Sequence, residues 1–400
     1  MKLNKTLLSV AAAASVLALA VPAMAEDVTI GFIGGFTGPI ESLTPPIFAG
    51  AELVVKQINE QGGILGGGKL NIISADGGCD ATTAAAAADK LINTDKVTGI
   101  VGALCTGETI GAFNGSGLSG NVVFISPASS APALTTLEDK DLVYRTTPSD
   151  ALQGVKMAKL LLDKGLKDVA VTYVNNDYGK GLADAFTAAY TAGGGTVAAS
   201  VAHEDGKADY RAELGNLTAS QNLVILAYAN ASGNTILRQA VESGNFTAYV
   251  GGDGMVGDDL LKGIDAASVE GLLATRAGAP AGTATTTYAD LAKAGGIDGS
   301  ATYAPQAYDA AFLMALAIEK NGSASRDGLS KALRDVASAP GEKILPGEWK
   351  KAVELIKAGT DIDYEGAGGA LDFDAAGDVD GIIVQLAVEG GKFVEKGEIK

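Results

Sequence analysis

Two hydroxyl-rich stretches and one isolated aspartate carry most of the chemistry this sequence offers. Ala103-Leu104-Cys105-Thr106-Gly107-Glu108-Thr109 follows one apolar run, and Ile125-Ser126-Pro127-Ala128-Ser129-Ser130-Ala131-Pro132 follows another. Hydroxyls beside the free backbone N–H groups of a helix start make a cradle for a carboxylate, although Ser and Thr cap helices in the same places. Asp253, in Gly252-Asp253-Gly254, supplies the complement, a carboxylate for an ammonium group; an ordinary turn aspartate is its plainer reading. An anion cradle in one place and a carboxylate in another suit a zwitterion.

Catalytic chemistry is thinly provided. The chain has no G-x-S-x-G and a single histidine, His203, inside His203-Glu204-Asp205-Gly206-Lys207, which reads as an exposed turn. No carboxylate pair stands in a spacing that argues for acid–base work. The only cysteines, Cys79 and Cys105, would form one disulfide in an oxidising compartment. A metal pair would need further ligands, and none is expected. Gly252-Asp253-Gly254-Met255-Val256-Gly257 fits the dinucleotide pattern formally, but it sets a carboxylate where a pyrophosphate would approach. Asp372-Phe373-Asp374-Ala375-Ala376-Gly377 lacks the ligands of a calcium loop and reads as a turn between strands. Gly62 to Gly68 lacks the Lys-Ser/Thr ending of a phosphate loop and reads as a helix-to-strand turn.

The elements that must position these residues alternate. Val28–Ile33, Leu70–Ala75, Thr98–Gly102 and Val122–Ser126 read as strands, with helices over Phe48–Gln61, Thr82–Asn93 and around Thr109–Ser119. A second series runs from a helix over 151–164 through strands at 169–174, 197–202, 223–227 and 249–250. Helices are expected at 179–192, around 210–220 and at 232–243. Repeated βα units with apolar strands mean parallel sheets covered on both faces, and ligands sit outside the carboxyl ends of such strands. The sequence shows no internal repeat. The stretches 143–150 and 278–282 and the strand Ile382–Val388 read as three crossings between two lobes, with a ligand cleft between them.

The N-terminus gives the address. Lys2 and Lys5 precede the apolar run Leu7–Val21, and Ala23-Met24-Ala25 is a small-x-small cleavage pattern, so the mature chain is expected to start at Glu26. The run is shorter than the roughly 20 residues that span a bilayer. About 375 remaining residues exceed what one core usually serves. Loss of Lys2 and Lys5 leaves 28 of the 30 basic residues against 47 acidic ones, a net charge near −19. Such a surface repels nucleic acid and anionic membrane.

Over essentially its whole mature length the chain resembles the leucine/isoleucine/valine-binding protein family, periplasmic receptors of branched-chain amino-acid ABC transporters. Gly31-Phe32-Ile33-Gly34-Gly35-Phe36-Thr37-Gly38-Pro39, Gly50-Ala51-Glu52-Leu53, Gly62-Gly63-Ile64 and Cys79-Asp80 carry the resemblance. So do Leu104-Cys105-Thr106-Gly107, Ile125-Ser126-Pro127-Ala128, Asp177-Tyr178-Gly179-Lys180-Gly181 and the stretch Asp363 to Gly369. It implies an α/β fold of two doubly wound parallel-sheet lobes joined by a three-crossing hinge. Lobe 1 would comprise residues 26–147 plus 277–382, and lobe 2 residues 148–276 plus 383–400. It implies a periplasmic monomer that binds an amino acid, serves a membrane permease, uses no cofactor and catalyses nothing. Thr106, helped by the Ser130 hydroxyl and backbone N–H, would hold the substrate carboxylate, and the Ala128 carbonyl and Asp253 the ammonium, with Ser129 also among the ligand-binding residues. Tyr178 would close the site, and the family's disulfide falls on Cys79 and Cys105. Two departures touch the ligand side chain: Leu43 stands at an aromatic position, and Tyr228 is displaced by one residue, which leaves its facing open. They keep a neutral amide, an organic acid or an aromatic acid as alternative ligands; an exported hydrolase is the remaining class.

Overall fold

The computed structural model describes residues 25–400; the export segment expected over 1–25 lies outside them but for its last residue. Apolar strands build two sheets. In the first, β1 (Val28–Gly34), β2 (Leu70–Asp76), β3 (Ile100–Val101), β4 (Phe124–Ser126) and β5 (Val143–Arg145) are all parallel, in the order β2-β1-β3-β4-β5. The second contains β6 (Asp168–Val174), β7 (Thr196–His203), β8 (Asn222–Leu226), β9 (Ala248–Gly251) and β10 (Leu273–Gly278), in the order β7-β6-β8-β9-β10. Relabelled from its own first strand, that order is the same as in the first sheet, although the sequence shows no repeat. Inner strands are buried along their length, whereas the edge strand β7 alternates exposed and half-buried residues, as one covered face requires.

Helices cover the faces. α1 (Thr44–Glu60), α2 (Ala81–Asp89) and α3 (Thr106–Ala112) belong to the first βα series; α4 (Asp150–Asp163), α5 (Asp177–Ala192), α6 (Arg211–Gly215) and α7 (Asn234–Ser243) belong to the second. After β10 the chain returns to the first sheet through α8 (Thr283–Gly295), α9 (Ala304–Asn321), α10 (Leu329–Ala337) and α11 (Trp349–Lys357). A small sheet of β11 (Glu342–Ile344), β12 (Ile362–Gly366) and β13 (Gly369–Ala370) lies on this side. The chain then re-enters the second sheet as β14 (Ile382–Glu389), antiparallel to β10, and ends in β15 (Lys392–Glu398), antiparallel to β14.

Helix α9 is buried almost all round, as a helix in the middle of a large core must be. Gly50 lets α1 approach it: a Cβ there would meet the Ala304 carbonyl oxygen at 2.5 Å. Asp309 on α9 accepts hydrogen bonds from Tyr364 Oη (2.8 Å) and the Ala367 and Gly368 N–H groups (2.7 Å each), which pins the β12–β13 turn. Two segments that pass between the sheets run side by side. Arg145 N–H donates to the Gly377 carbonyl at 3.0 Å, and a Cβ on Gly381 would meet the Pro148 ring at 3.1 Å.

Three expectations change. The helix expected around 210–220 covers only Arg211–Gly215. Helix α1 begins at Thr44, ahead of Phe48, because Pro45 and Pro46 occupy first-turn positions where no N–H is needed. His203 is no exposed turn residue: it ends β7, 2 % exposed, with Nδ1 2.8 Å from Thr172 Oγ1 and Nε2 3.1 Å from Ser232 Oγ. The turn begins one residue later.

Candidate ligand-binding site

The carboxyl ends of both sheets converge on one buried cavity of about 30 Å³. From the first sheet come Ile40, Leu43 and Ile47 after β1, Leu104, Cys105 and Thr106 after β3, and Ala128 after β4. The second contributes Tyr178 after β6, Tyr228 after β8, and Asp253 and Gly254 after β9. Tyr303, just ahead of α9, completes the wall.

The start of α3 is fixed by a disulfide and a buried glutamate. Cys79 and Cys105 are bonded, with Cα atoms 5.4 Å apart. Glu108 reaches back as a capping-box residue and accepts from the N–H groups of Cys79 (2.7 Å), Cys105 (2.9 Å) and Leu104 (3.2 Å). Burial pushes its carboxyl up to about 7, against the pull of those three donors. Thr106 is thereby held at the cavity wall, where its Oγ1 accepts from Ala131 N–H at 3.3 Å.

On the side of the second sheet, after β9, Asp253 is 3 % exposed. Its Oδ1 accepts from Gln153 Nε2 at 2.8 Å and Tyr178 Oη at 2.9 Å; its Oδ2 accepts from Tyr303 Oη at 2.6 Å. Burial raises its carboxyl above the usual range, and the three donors pull it back toward the charged form. The Tyr178 oxygen also accepts from Gly254 N–H at 3.1 Å. Tyr178 stacks on Tyr228 with ring centroids 5.3 Å apart and planes at 25°, and Asn176 Nδ2 donates to Tyr228 Oη at 3.2 Å. Ile40, Leu43, Ile47 and Leu104 supply the aliphatic part of the lining.

Of the residues singled out from the sequence, Leu43, Thr106, Ala128, Tyr178, Tyr228 and Asp253 line this cavity. The facing of Tyr228, open in the sequence, is inward. Two others turn away. Ser129 Oγ is engaged with Thr109 Oγ1 (2.8 Å) and the Ala103 and Leu104 carbonyls, and Ser130 Oγ lies 3.1 Å from Asp150 Oδ2. Sequence reasoning missed Tyr303, Gln153, Ile40 and Ile47. The weak signal for Tyr303 was an aromatic directly ahead of a helix start marked by Pro305.

A roomier crevice of about 590 Å³ shares Tyr303. Arg276 and Glu395 in its lining pair at 3.2 Å.

Two α/β units with their strand ends facing across a buried polar and apolar cavity define a solute-binding protein of the two-lobed type. The chain matches the periplasmic binding protein family over residues 27–352 and belongs to it. It is 34% identical to the Leu/Ile/Val-binding protein of Escherichia coli (strain K12) over 257 residues, 64% of this chain and 68% of that one. It is 31% identical to the leucine-, isoleucine-, valine-, threonine- and alanine-binding protein of Pseudomonas aeruginosa over 316 residues, 78% and 83% of the two chains. Among solved structures, a leucine-binding protein from Thermotoga maritima superposes with a TM-score of 0.77 at 25% identity, covering 93% of this chain and 99% of that one. A substrate-binding protein from Desulfitobacterium hafniense in complex with Leu gives 0.71 at 25% identity, covering 92% and 100%. The resemblance and the fold class read from the sequence are borne out.

Proposed function

We propose that this protein captures an α-amino acid with an apolar side chain in the periplasm and presents it to a membrane permease of an ABC importer, without transforming it. The observation that carries the reading is Asp253, a buried carboxylate with three neutral donors and, among the described residues, no cation bonded to it, in the same cavity as Thr106 and four aliphatic side chains. An ammonium at Asp253 and a carboxylate at Thr106 would leave the aliphatic side chain against Ile40, Leu43, Ile47 and Leu104. The stacked Tyr178 and Tyr228 would cover it. Relatives named for leucine, isoleucine and valine binding support the same class. The lobes would be residues 26–147 plus 277–382 and 148–276 plus 383–400. A cavity of about 30 Å³ holds roughly two waters, so the lobes must part to admit a solute and close over it.

Calorimetry with L-leucine, L-isoleucine, L-valine and L-alanine tests the reading. We expect saturable binding that Asp253→Ala weakens by about 2–5 kcal/mol, the usual loss when one partner of a buried charge pair is removed. A thermal shift with benzoate and none with any amino acid would transfer the site to an aromatic acid.

A further inference from the structure

Arg145 ends β5 and is 1 % exposed. Its guanidinium spends all five N–H donors in two directions. Nε and Nη2 grip Asp378 Oδ1 and Oδ2 at 2.7 Å each, and Nη2 also donates to Thr135 Oγ1 at 2.8 Å. Nη1 turns to the loop after β4, where it donates to the Ser130 carbonyl at 2.8 Å and the Ala131 carbonyl at 3.0 Å. The ion pair is thus a fixed dipole with its positive end on that loop. Thr135 Oγ1 donates in turn to Asp378 Oδ2 at 2.7 Å, which keeps the carboxylate from swinging.

The Ser130 carbonyl and the Ala131 N–H belong to one peptide unit. Its oxygen receives a second bond, from Asp150 N–H at 2.8 Å. Two donors on the oxygen draw electron density from the nitrogen and strengthen the Ala131 N–H as a donor. That N–H donates to Thr106 Oγ1 at 3.3 Å, and Thr106 lines the ligand cavity. A hydroxyl oxygen that accepts in this way must aim its own proton elsewhere, and the Thr106 proton meets no acceptor among the described residues. The contact is at the long end for an N–H···O bond, with room to shorten once that proton is given to an anion. No Lys, Arg or His stands in the cavity lining among the described residues.

We propose that Arg145 is a positioning residue for the solute's carboxylate: through the Ser130–Ala131 peptide it holds and polarises the Thr106 hydroxyl, and so favours a charged carboxylate there over a neutral carboxamide. The cation stays outside the cavity, neutralised on its far side by Asp378, and only its directional pull reaches the solute. A buried lysine or arginine in the wall would oppose the ammonium of the same ligand; a relayed dipole opposes it far less. The inference rests on the reading that puts a carboxylate at Thr106 and does not need the ammonium at Asp253.

The test compares L-leucine with L-leucinamide in calorimetry on the whole mature chain. Arg145→Gln should weaken L-leucine by about tenfold or more and L-leucinamide by less than about threefold. In a Thr106→Val background the same substitution should change L-leucine binding by less than about threefold, because the hydroxyl it acts through is gone. Equal losses for the two ligands, or additive losses in the double variant, mean that Arg145 only packs the loop, and they overturn the proposal. If Arg145→Gln does not fold, amide NMR of the wild type decides. With alanine labelled by nitrogen-15, the Ala131 proton, identified by its loss in Ala131→Gly, should move downfield as L-leucine saturates the site and move less with L-leucinamide. No downfield movement, or equal movement with both, overturns it. If L-leucine does not bind the wild type, the amino-acid reading falls and benzoate against benzamide takes over the comparison. Benzoate that does not bind, or that moves the Ala131 proton no further than benzamide, overturns the relay as well.

Discussion

Tyr303→Phe removes one oxygen from the protein and nothing else, which makes it the sharpest probe of how the site works. The ring, 7 % exposed, keeps its place ahead of α9. What disappears is the 2.6 Å bond to Asp253 Oδ2. Hydrogen bonds to a charged acceptor contribute about 1.5–3 kcal/mol. Tyr303 belongs to the helical layer on the first sheet, whereas Asp253 follows β9 of the second. The bond therefore spans the cleft, and its loss should weigh on closure over the ligand rather than on the folding of either half. With a tenfold change for each 1.4 kcal/mol, affinity for an aliphatic amino acid should fall by about 10- to 150-fold. The urea midpoint of the ligand-free protein should stay within experimental scatter. Calorimetry beside denaturant unfolding separates the two. Affinity within twofold of the wild type, or an equal loss in ligand-free stability, would refute the reasoning.

Three further outcomes follow from features away from the anchor. Reducing the Cys79–Cys105 bridge, which closes a loop with a separation of 26 residues, should lower unfolding stability by about 3–4 kcal/mol on the chain-entropy model; urea titration with and without a reductant reads it. Burial lowers the His203 imidazole to about 4 from its usual 6.5, so between those values the unfolded chain binds more protons than the folded one. Stability should therefore decline as pH falls from about 6.5 to 4, by up to about 3 kcal/mol from this residue. The difference between the wild type and His203→Gln isolates it from Glu108, whose raised carboxyl acts with the opposite sign. Gly50→Ala should destabilise by about 1–3 kcal/mol, because its methyl would press on the backbone oxygen of Ala304; a lowered urea midpoint with unchanged slope is the signature.

Much of this molecule is written locally. Val28–Ile33 and Val169–Val174 are runs rich in β-branched and aromatic residues, and the observed β1 and β6 begin and end within a residue of them. The anchors Thr106 and Asp253 were legible because hydroxyls and a carboxylate beside strand ends have few other uses. The misses share a cause. The helix expected to reach Ser220 stops at Gly215, where the Thr218 hydroxyl donates to the Gly215 carbonyl and the Ser220 hydroxyl accepts from Asn222 N–H, turns in place of helix. His203 lies beside four charged or turn-forming residues and reads as surface, yet strand β7 carries it inward to Thr172 and Ser232. Tyr303 and Gln153 reach Asp253 from 50 and 100 residues away, and no local pattern encodes that meeting. Ser130 was read as facing a ligand carboxylate; the chain turns it toward Asp150, a partner brought in by the segment between the sheets.

Asp253 is tied to side chains from α4 and α5 and to the residue before α9, while the apolar wall consists of four aliphatic side chains that carry no hydrogen bond. The two ends of the cavity should therefore evolve at different speeds. A change of anchor charge strands Gln153, Tyr178 and Tyr303 together and needs several substitutions at once. Trading Leu43 or Ile47 for another aliphatic residue needs only one. Descendants of this gene would then diversify in which side chain they prefer long before they lose the habit of holding an amino group.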